Sequence, residues 1–410
     1  MPANGPRPKP SVPAAPPDLK AIFSSLTGRR HVALAVSGGS DSMALMRLIR
    51  DWRDSEPEPP LISVLTVDHG LRAESAAEAR QVGQWASHAG LAHHTLVWTG
   101  PKPASGLQAK ARAARYDLMA AWCRAHEAEA LLTAHTFDDQ AETVLMRLAR
   151  TTSPDSLSGI PRHGQWDGVP LFRPLLSERR DALRDYLRAA DQGWIDDPSN
   201  ADPRFERVRL RQSLWDLAAS GVTPERLVAL GETSARTASL LDRCAGAWID
   251  LWLDEHDAGV CHVPADELLG LPPALQQRIL GRIVVHYGGG THRPEPAELR
   301  RLAAWVREGA DRCTLAGAIL GRRKGRFWVT REAARIAVLP VSVPGEEHII
   351  WDGRFRITAP EGSSVVAAGE NPVDLGEGIP IFARRAYPLV NVPEGSGEAV
   401  TVTFLRLGTS

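Results

Sequence analysis

The stretch "HVALAVSGGSDSMALMRLIR" (residues 31–50) decides the fold of the first half of the chain. An apolar strand, "HVALAV", runs into a helix through a turn that holds Ser37, Gly38, Gly39, Ser40, Asp41 and Ser42. Gly38 and Gly39 permit a tight turn with backbone N–H groups pointing inward. Ser40 and Ser42 add hydroxyls, and a helix starting near Asp41 adds its positive end, so the turn is a nest for an anion. A Walker loop would need GxxxxGK[ST], with its lysine on the phosphates. Here Asp41 stands in the turn, and an accompanying Mg²⁺ would supply the positive charge. The plainer alternative is that Gly, Ser and Asp simply suit any strand-to-helix turn, where Ser and Asp cap helices.

Working outward, "LISVLTV" (61–67) is a second strand ending at "DHGLR", and residues 75–89 read as a helix. "HHTLVW" (93–98) is a third strand, residues 107–126 a long helix, "ALLTAH" (130–135) a fourth strand and "DDQAETVLMRLAR" (138–150) its helix. This alternation predicts an α/β fold, a doubly wound parallel sheet covered on both faces. Ligands of such sheets bind beyond the carboxyl ends of the strands. The signatures "SGGSDS", "DHGLR" and "AHTFDDQ" all fall there, which points to one shared site.

The 410 residues carry a formal net charge of −1 and 43% hydrophobic residues, enough for two or three packed domains. Near-neutrality excludes a general basic field, so any nucleic-acid contact must come from local patches. Cys123, Cys244, Cys261 and Cys313 have no CxxC spacing, which argues against a zinc ribbon, a redox dithiol or an iron–sulfur site. Their sparseness fits a reducing, cytoplasmic setting. No apolar run of about 18 residues predicts a membrane span. The Pro- and Ala-rich start reads as a disordered lead-in over 1–20 with no signal-peptide core. A catalytic domain is expected over 21–217, a helical middle domain over 218–335, and a small β-rich C-terminal portion over 336–410. In the middle domain, residues 224 to about 256 read as one long helix. The sequence leaves the oligomeric state open.

The glycine turn resembles the PP-loop of the N-type ATP pyrophosphatases, which split ATP between its α and β phosphates. "VDHGLR" (67–72), "ARAARYDLM" (111–119), "LTAHTFDDQAETVLMRLAR" (132–150) and "FRPLLSERRDALRDYLRAADQGWIDDPSNADPRFERVRLR" (172–211) together resemble the tRNA(Ile)-lysidine synthetases. The resemblance covers the whole N-terminal half in order and spacing. It implies that residues 37–42 cradle the pyrophosphate portion of ATP, which accounts for the missing lysine. It also implies the reaction: free L-lysine is ligated to carbon 2 of the wobble cytidine of a CAU-anticodon tRNA(Ile), through an adenylated tRNA, giving AMP and pyrophosphate.

Adenylation brings a base oxygen to a polyanion, so cations and donors must offset phosphate charge. Asp41 is expected to hold Mg²⁺ through an oxygen, with Asp138 as a second carboxylate. The alternative for Asp138 and Asp139 is complementing the macrodipole of their helix. Glu142 shares a helical face with both, and such a cluster suits the ammonium groups of lysine. The substrate carboxylate then wants an arginine fork, for which the resemblance favours Arg112, Arg115 and Arg207 over a role as ordinary surface arginines. His135 follows a strand and is expected either to contact phosphate or to take a proton from the attacking amine, the alternative being a hydrogen bond within the fold. His69 and Arg72 are expected near the nucleotide or the cytidine. Two departures from the family stand out: Thr151 and Thr152 replace a glycine-bearing turn, and Val208 sits where the family tends to have Asn.

The basic clusters "RRDALRDYLR", "RFERVRLR" and "GRRKGRF" are expected to meet tRNA phosphates. Phe327 and Trp328 are read either as stacking platforms or as core. A tRNA thiolase on the same loop is the enzymatic rival, and it would ordinarily use sulfur-carrying or cluster-binding cysteines, often as CxxC, a spacing that this chain lacks. A non-catalytic tRNA-binding protein is the other, and it would not need both "SGGSDS" and "DDQAET".

Overall fold

Burial explains the first strand: Val32, Ala33, Leu34 and Ala35 of β1 (His31–Ala35) are all removed from solvent, as a strand covered on both faces requires. The computed structural model describes residues 17–70, 74–100, 102, 105–196, 206–290, 294–308, 312–336, 340–343, 348–370, 373, 375, 378–394 and 399–407. The chain divides into two units, Met1–Arg236 and Thr237–Ser410. Most of the expected lead-in lies outside the described residues. α1 (Leu19–Phe23) begins within its last two residues, capped by Asp18, whose carboxylate accepts from the Ala21 N–H at 3.1 Å.

In the first unit, α2 (Ser40–Arg53) follows β1, then β2 (Leu61–Asp68), α3 (Ser75–His88), β3 (Ala92–Val97) and α4 (Leu107–Ala125). Next come β4 (Leu131–Leu132), α5 (Phe137–Leu148), α6 (Pro154–Leu157), β5 (His163–Trp166) and β6 (Val169–Phe172). α7 (Arg180–Ala189) and α8 (Glu206–Ala219) close the set, and α9 (Pro224–Trp252) begins here. The sheet order is β3-β2-β1-β4-β6-β5, with every pair parallel except β5–β6. One apolar layer holds Leu34, Met43, Leu45, Ile49, Leu183 and Leu187; the other holds Ala33, Leu65, Tyr116, Met119 and Leu131. The winding direction reverses between β1 and β4, and a crevice opens beyond their carboxyl ends.

The antiparallel β5–β6 hairpin departs from the parallel expectation. Its turn is Asp167-Gly168, with φ of 46° and 80°. Positive φ at both positions is the two-residue hairpin geometry that Asp-Gly favours.

The second unit mixes helix and sheet. β7 (Asp254–His256) starts where the sequence reading still continued the long helix, since α9 stops at Trp252, and β8 (Val260–Pro264) follows it. α10 (Ala265–Leu269), α11 (Pro273–Tyr287) and α12 (Pro296–Glu308) follow, then β9 (Arg312–Leu315), β10 (Ala318–Arg323) and β11 (Arg326–Arg331). These strands form an antiparallel sheet in the order β7-β8-β11-β10-β9. Cys261, Val263, Phe327 and Val329 share a core with Ile279, Ile283 and Val306 of α11 and α12. The opposite face carries Val260 and Trp328, which pack with Ile379 and Ala383. Phe327 and Trp328 are therefore core residues, 1% and 5% exposed.

β12 (Val341–Ser342), β13 (Ile349–Trp351), β14 (Phe355–Thr358), β15 (Ser364–Ala367), α13 (Ile381–Arg384), β16 (Pro388–Asn391) and β17 (Thr401–Phe404) complete the chain. They give two three-stranded sheets, β12-β15-β16 and β13-β14-β17, which is the β-rich C-terminal portion. Among the described residues no helix is long and apolar enough to cross a membrane.

Leu34→Ala, at a fully buried position, is expected to cost about 2–5 kcal/mol in denaturant unfolding. Leu61→Ala, at the exposed start of the neighbouring strand, should stay within about 0.5 kcal/mol of the parent. Equal losses would mean that β1 is not the buried centre of the sheet.

Candidate active site

The turn after β1 is braced by its own serines. The Ser42 hydroxyl accepts from the Ser37 N–H at 3.2 Å and donates to the Gly39 carbonyl at 2.9 Å. Gly38, at φ 89°, is held from outside: its carbonyl accepts from the Ile195 N–H at 2.9 Å. A Cβ there would come within 2.7 Å of Ile195 Cδ1. Only glycine suits both the positive φ and that close approach. Ser40 and Asp41 open α2 over Gly39 as N-cap, where a helix leaves its first N–H groups without intrahelical acceptors.

The turn after β4 is shaped by a capping box. Thr136 accepts from the Asp139 N–H at 3.4 Å, and the Asp139 carboxylate accepts from the Thr136 N–H at 2.8 Å. This aims Asp139 and Glu142 of α5 toward the turn after β1. Two contacts then dock α7 beside them. The Phe137 N–H donates to the Glu178 carbonyl at 2.9 Å, and the Arg180 N–H donates to the Asp138 carboxylate at 2.8 Å.

Arg180 stands at the centre. Its guanidinium donates to Asp41 at 2.9 Å, to Asp139 at 3.0 Å and to Glu142 at 3.5 Å. Burial alone would lower its pKa, but the three carboxylates raise it above the ordinary arginine value. Burial would raise Asp139 in turn, while Arg180 and the Thr136 N–H hold it below the usual carboxylate range. Glu142 is 2% exposed and also accepts from Arg211 Nε at 2.8 Å. Its other oxygen, Oε2, is buried with no hydrogen-bond partner among the described residues. Arg184, one helical turn beyond Arg180, donates to the Ser40 hydroxyl at 3.3 Å.

These groups line an open cavity of about 580 Å³. Of the residues singled out in the sequence, Ser37, Gly39, Ser40, Asp41, Ser42, Arg112, Arg115, His135, Asp139 and Glu142 share its wall. Gly38 supports the turn from behind, and Asp138 caps α7. Arg207 lies on α8, with its side chain outside the described residues, as is all of Arg72. His69 lies at the end of β2 beside Trp98, outside the cavity wall; burial and Arg115 lower its pKa. Arg115 itself is lowered by desolvation and by Arg112. Val208 is a buried part of the wall, and the Thr151 hydroxyl accepts from the Ser153 N–H at 3.1 Å, turning the chain into α6.

His135 accepts or donates one hydrogen bond with the Thr133 hydroxyl at 3.0 Å. Burial pushes its pKa down to about 3, against the pull of Asp139 and with help from Arg112 and Arg173. The imidazole is therefore neutral throughout the physiological range. Sequence reading missed Arg180, Arg184 and Arg211 as cavity residues, assigning their clusters to tRNA phosphates. The available signal was Arg180 and Arg184 four apart on one amphipathic helix.

Residues 15–218 match the PP-loop domain family. The tRNA(Ile)-lysidine synthase of Ruegeria pomeroyi is 38% identical over 357 residues, covering 86% of this chain and 81% of that protein. Those of Rhodopseudomonas palustris and Methylobacterium nodulans are 41% and 43% identical, covering 74% and 75% of this chain and 91% of each relative.

His135 gives the site a pH signature. Its folded pKa lies below the unfolded 6.5, so the unfolded chain binds the proton first and stability falls as pH drops from 6.5 toward 3. His135→Asn should therefore lose less stability than the parent when urea midpoints at pH 7 and pH 4.5 are compared. Equal losses would place the imidazole in a solvent-like environment.

Proposed function

The chain belongs to the tRNA(Ile)-lysidine synthase family, and we propose that it ligates free L-lysine to carbon 2 of the wobble cytidine of a CAU-anticodon tRNA(Ile). In the first step the cytidine oxygen attacks the α-phosphorus of ATP and pyrophosphate leaves. In the second the lysine amine forms a bond to carbon 2, the carbon–oxygen bond breaks, and AMP leaves. The observation that carries this reading is a single cavity wall that joins the phosphate turn to a set of carboxylates and arginines.

The turn at residues 37–42 and the N-terminus of α2 receive the phosphates, with Arg184 beside Ser40 adding charge. Mg²⁺, when bound, offsets phosphate charge. Asp41 fits it as an oxygen ligand on the cavity wall, whereas Asp138, the second carboxylate expected from the sequence, is engaged by the Arg180 N–H and lies outside that wall. Asp139 and Glu142 take the ammonium groups of lysine, for which the unpartnered, buried Glu142 Oε2 is a ready acceptor. Arg112, Arg115 and Arg207 are the forks for the lysine carboxylate.

His135, being neutral, offers a hydrogen bond to phosphate or amine. At a pKa of about 3 it is a weak proton acceptor until a polyanion offsets the nearby arginines. The rival thiolase reading has no support in the site, since no cysteine lines the cavity among the described residues. The proposed setting is the cytoplasm, where Cys123, Cys244, Cys261 and Cys313, all unpaired, stay reduced.

The test is direct: incubate the protein with ATP, Mg²⁺, lysine and unmodified CAU-anticodon tRNA(Ile), digest the RNA and weigh the nucleosides. A cytidine heavier by one lysine less water is expected. Unchanged cytidine, with ATP consumed only alongside another acceptor, would overturn the substrate assignment. Asp41→Ala should reduce product formation by about 10²-fold or more with little change in melting temperature.

A further inference from the structure

The strands that open the second unit gather metal-ligating side chains that the proposed reaction does not use. In the antiparallel β7–β8 pair, Asp254 lies opposite His262, and His256 lies opposite Val260. Alternation along each strand puts Asp254, His256 and His262 on one face, together with Trp328, the β11 partner of His262. One ligand atom from each of the three lies within 4.8 Å of the others. Asp254 Oδ2 is already 3.2 Å from His262 Nε2. Ligand atoms in a tetrahedral zinc shell stand about 3.3 Å apart, given metal–ligand distances near 2 Å.

Two further observations point to a ligand. His262 is 5% exposed and its Nδ1 has no hydrogen-bond partner among the described residues; His256 Nε2 is likewise buried and unpartnered. Buried imidazole nitrogens are ordinarily satisfied, so two in one cluster need an explanation. A plain Asp254–His262 pair leaves His256 Nε2 without a partner, and an ion shared with His262 Nε2 would supply one. The second observation concerns Arg326, which donates to His262 Nε2 at 2.9 Å. A guanidinium only donates, so in this contact Nε2 is the acceptor, the state in which imidazole binds a metal. Arg326 is exposed at the start of β11, next to the Lys324-Gly325 turn, and can yield its place toward solvent.

We propose that Asp254, His256 and His262 bind one divalent transition-metal ion of the zinc class, with water completing the shell. Two imidazoles and one carboxylate are a borderline donor set, suited to Zn²⁺ or Co²⁺ and unsuited to Mg²⁺, which wants oxygen ligands in an octahedron. The rings are oriented by Trp328: His256 stacks on it at 5.6 Å and 19°, and His262 meets its edge at 4.5 Å. The ion clips the three-residue edge strand β7 to β8 and stabilises this unit by mass action.

The experiment uses the full chain, stripped of metal with a chelator and then held in saturating Mg²⁺ to fill hard-cation sites. It is titrated with Co²⁺ and afterwards with Zn²⁺, reading visible absorption and melting temperature. One equivalent of Co²⁺ with a ligand-field band, displacement by Zn²⁺ and a raised melting temperature are expected. His256→Ala and Asp254→Asn should each weaken binding by roughly tenfold or more. Asp254 is exposed, so its variant retains the fold even where a histidine variant does not. Absence of a band, or affinity unchanged in folded Asp254→Asn, would overturn the proposal.

Discussion

The guanidinium of Arg180 holds Asp41, Asp139 and Glu142 within one cavity wall, and the arrangement of the first unit around its site depends on that interaction. Three carboxylates brought together at strand ends repel one another strongly where water is partly excluded. Arg180 and Arg211 supply the compensating charge, and removing either arginine from such a set leaves buried carboxylate charge uncompensated. The contact also joins α2, α5 and α7, whose residues lie as far as 139 positions apart in the chain.

Topology is what makes this gathering possible. Reversal of the strand order between β1 and β4 leaves a crevice, and the turns beyond those two strands face each other across it. One turn offers backbone N–H groups and hydroxyls; the other offers carboxylates on a capped helix. α7 lies along α2, burying Leu183 and Leu187, and so brings Arg180 and Arg184 to the same edge. Tyr186 on this helix hydrogen-bonds to Asp51 of α2.

Much of this was legible in the sequence because its signals are local. The glycine turn and the four parallel strands each depend on residues a few positions apart. The part that was not legible is long-range. Nothing near Arg180 announces that its partners are Asp41 and Glu142, so a cluster of arginines reads equally well as a surface for RNA. The β5–β6 hairpin was missed despite its Asp-Gly turn, since the flanking strands are only four residues long. β7 was read as helix because "DLWLDEH" continues an apolar, charged pattern that suits either structure. Cross-strand pairing also explains why Asp254, His256 and His262 passed unnoticed as a group.

In the proposed reaction one cavity first activates the tRNA and only then admits lysine as nucleophile. The most direct test is a single-turnover reaction with ATP, Mg²⁺ and CAU-anticodon tRNA(Ile), with lysine withheld. Release of pyrophosphate that depends on the tRNA, followed by release of AMP only when lysine is added, is the predicted result. Pyrophosphate release that requires lysine, or that proceeds without tRNA, would contradict it.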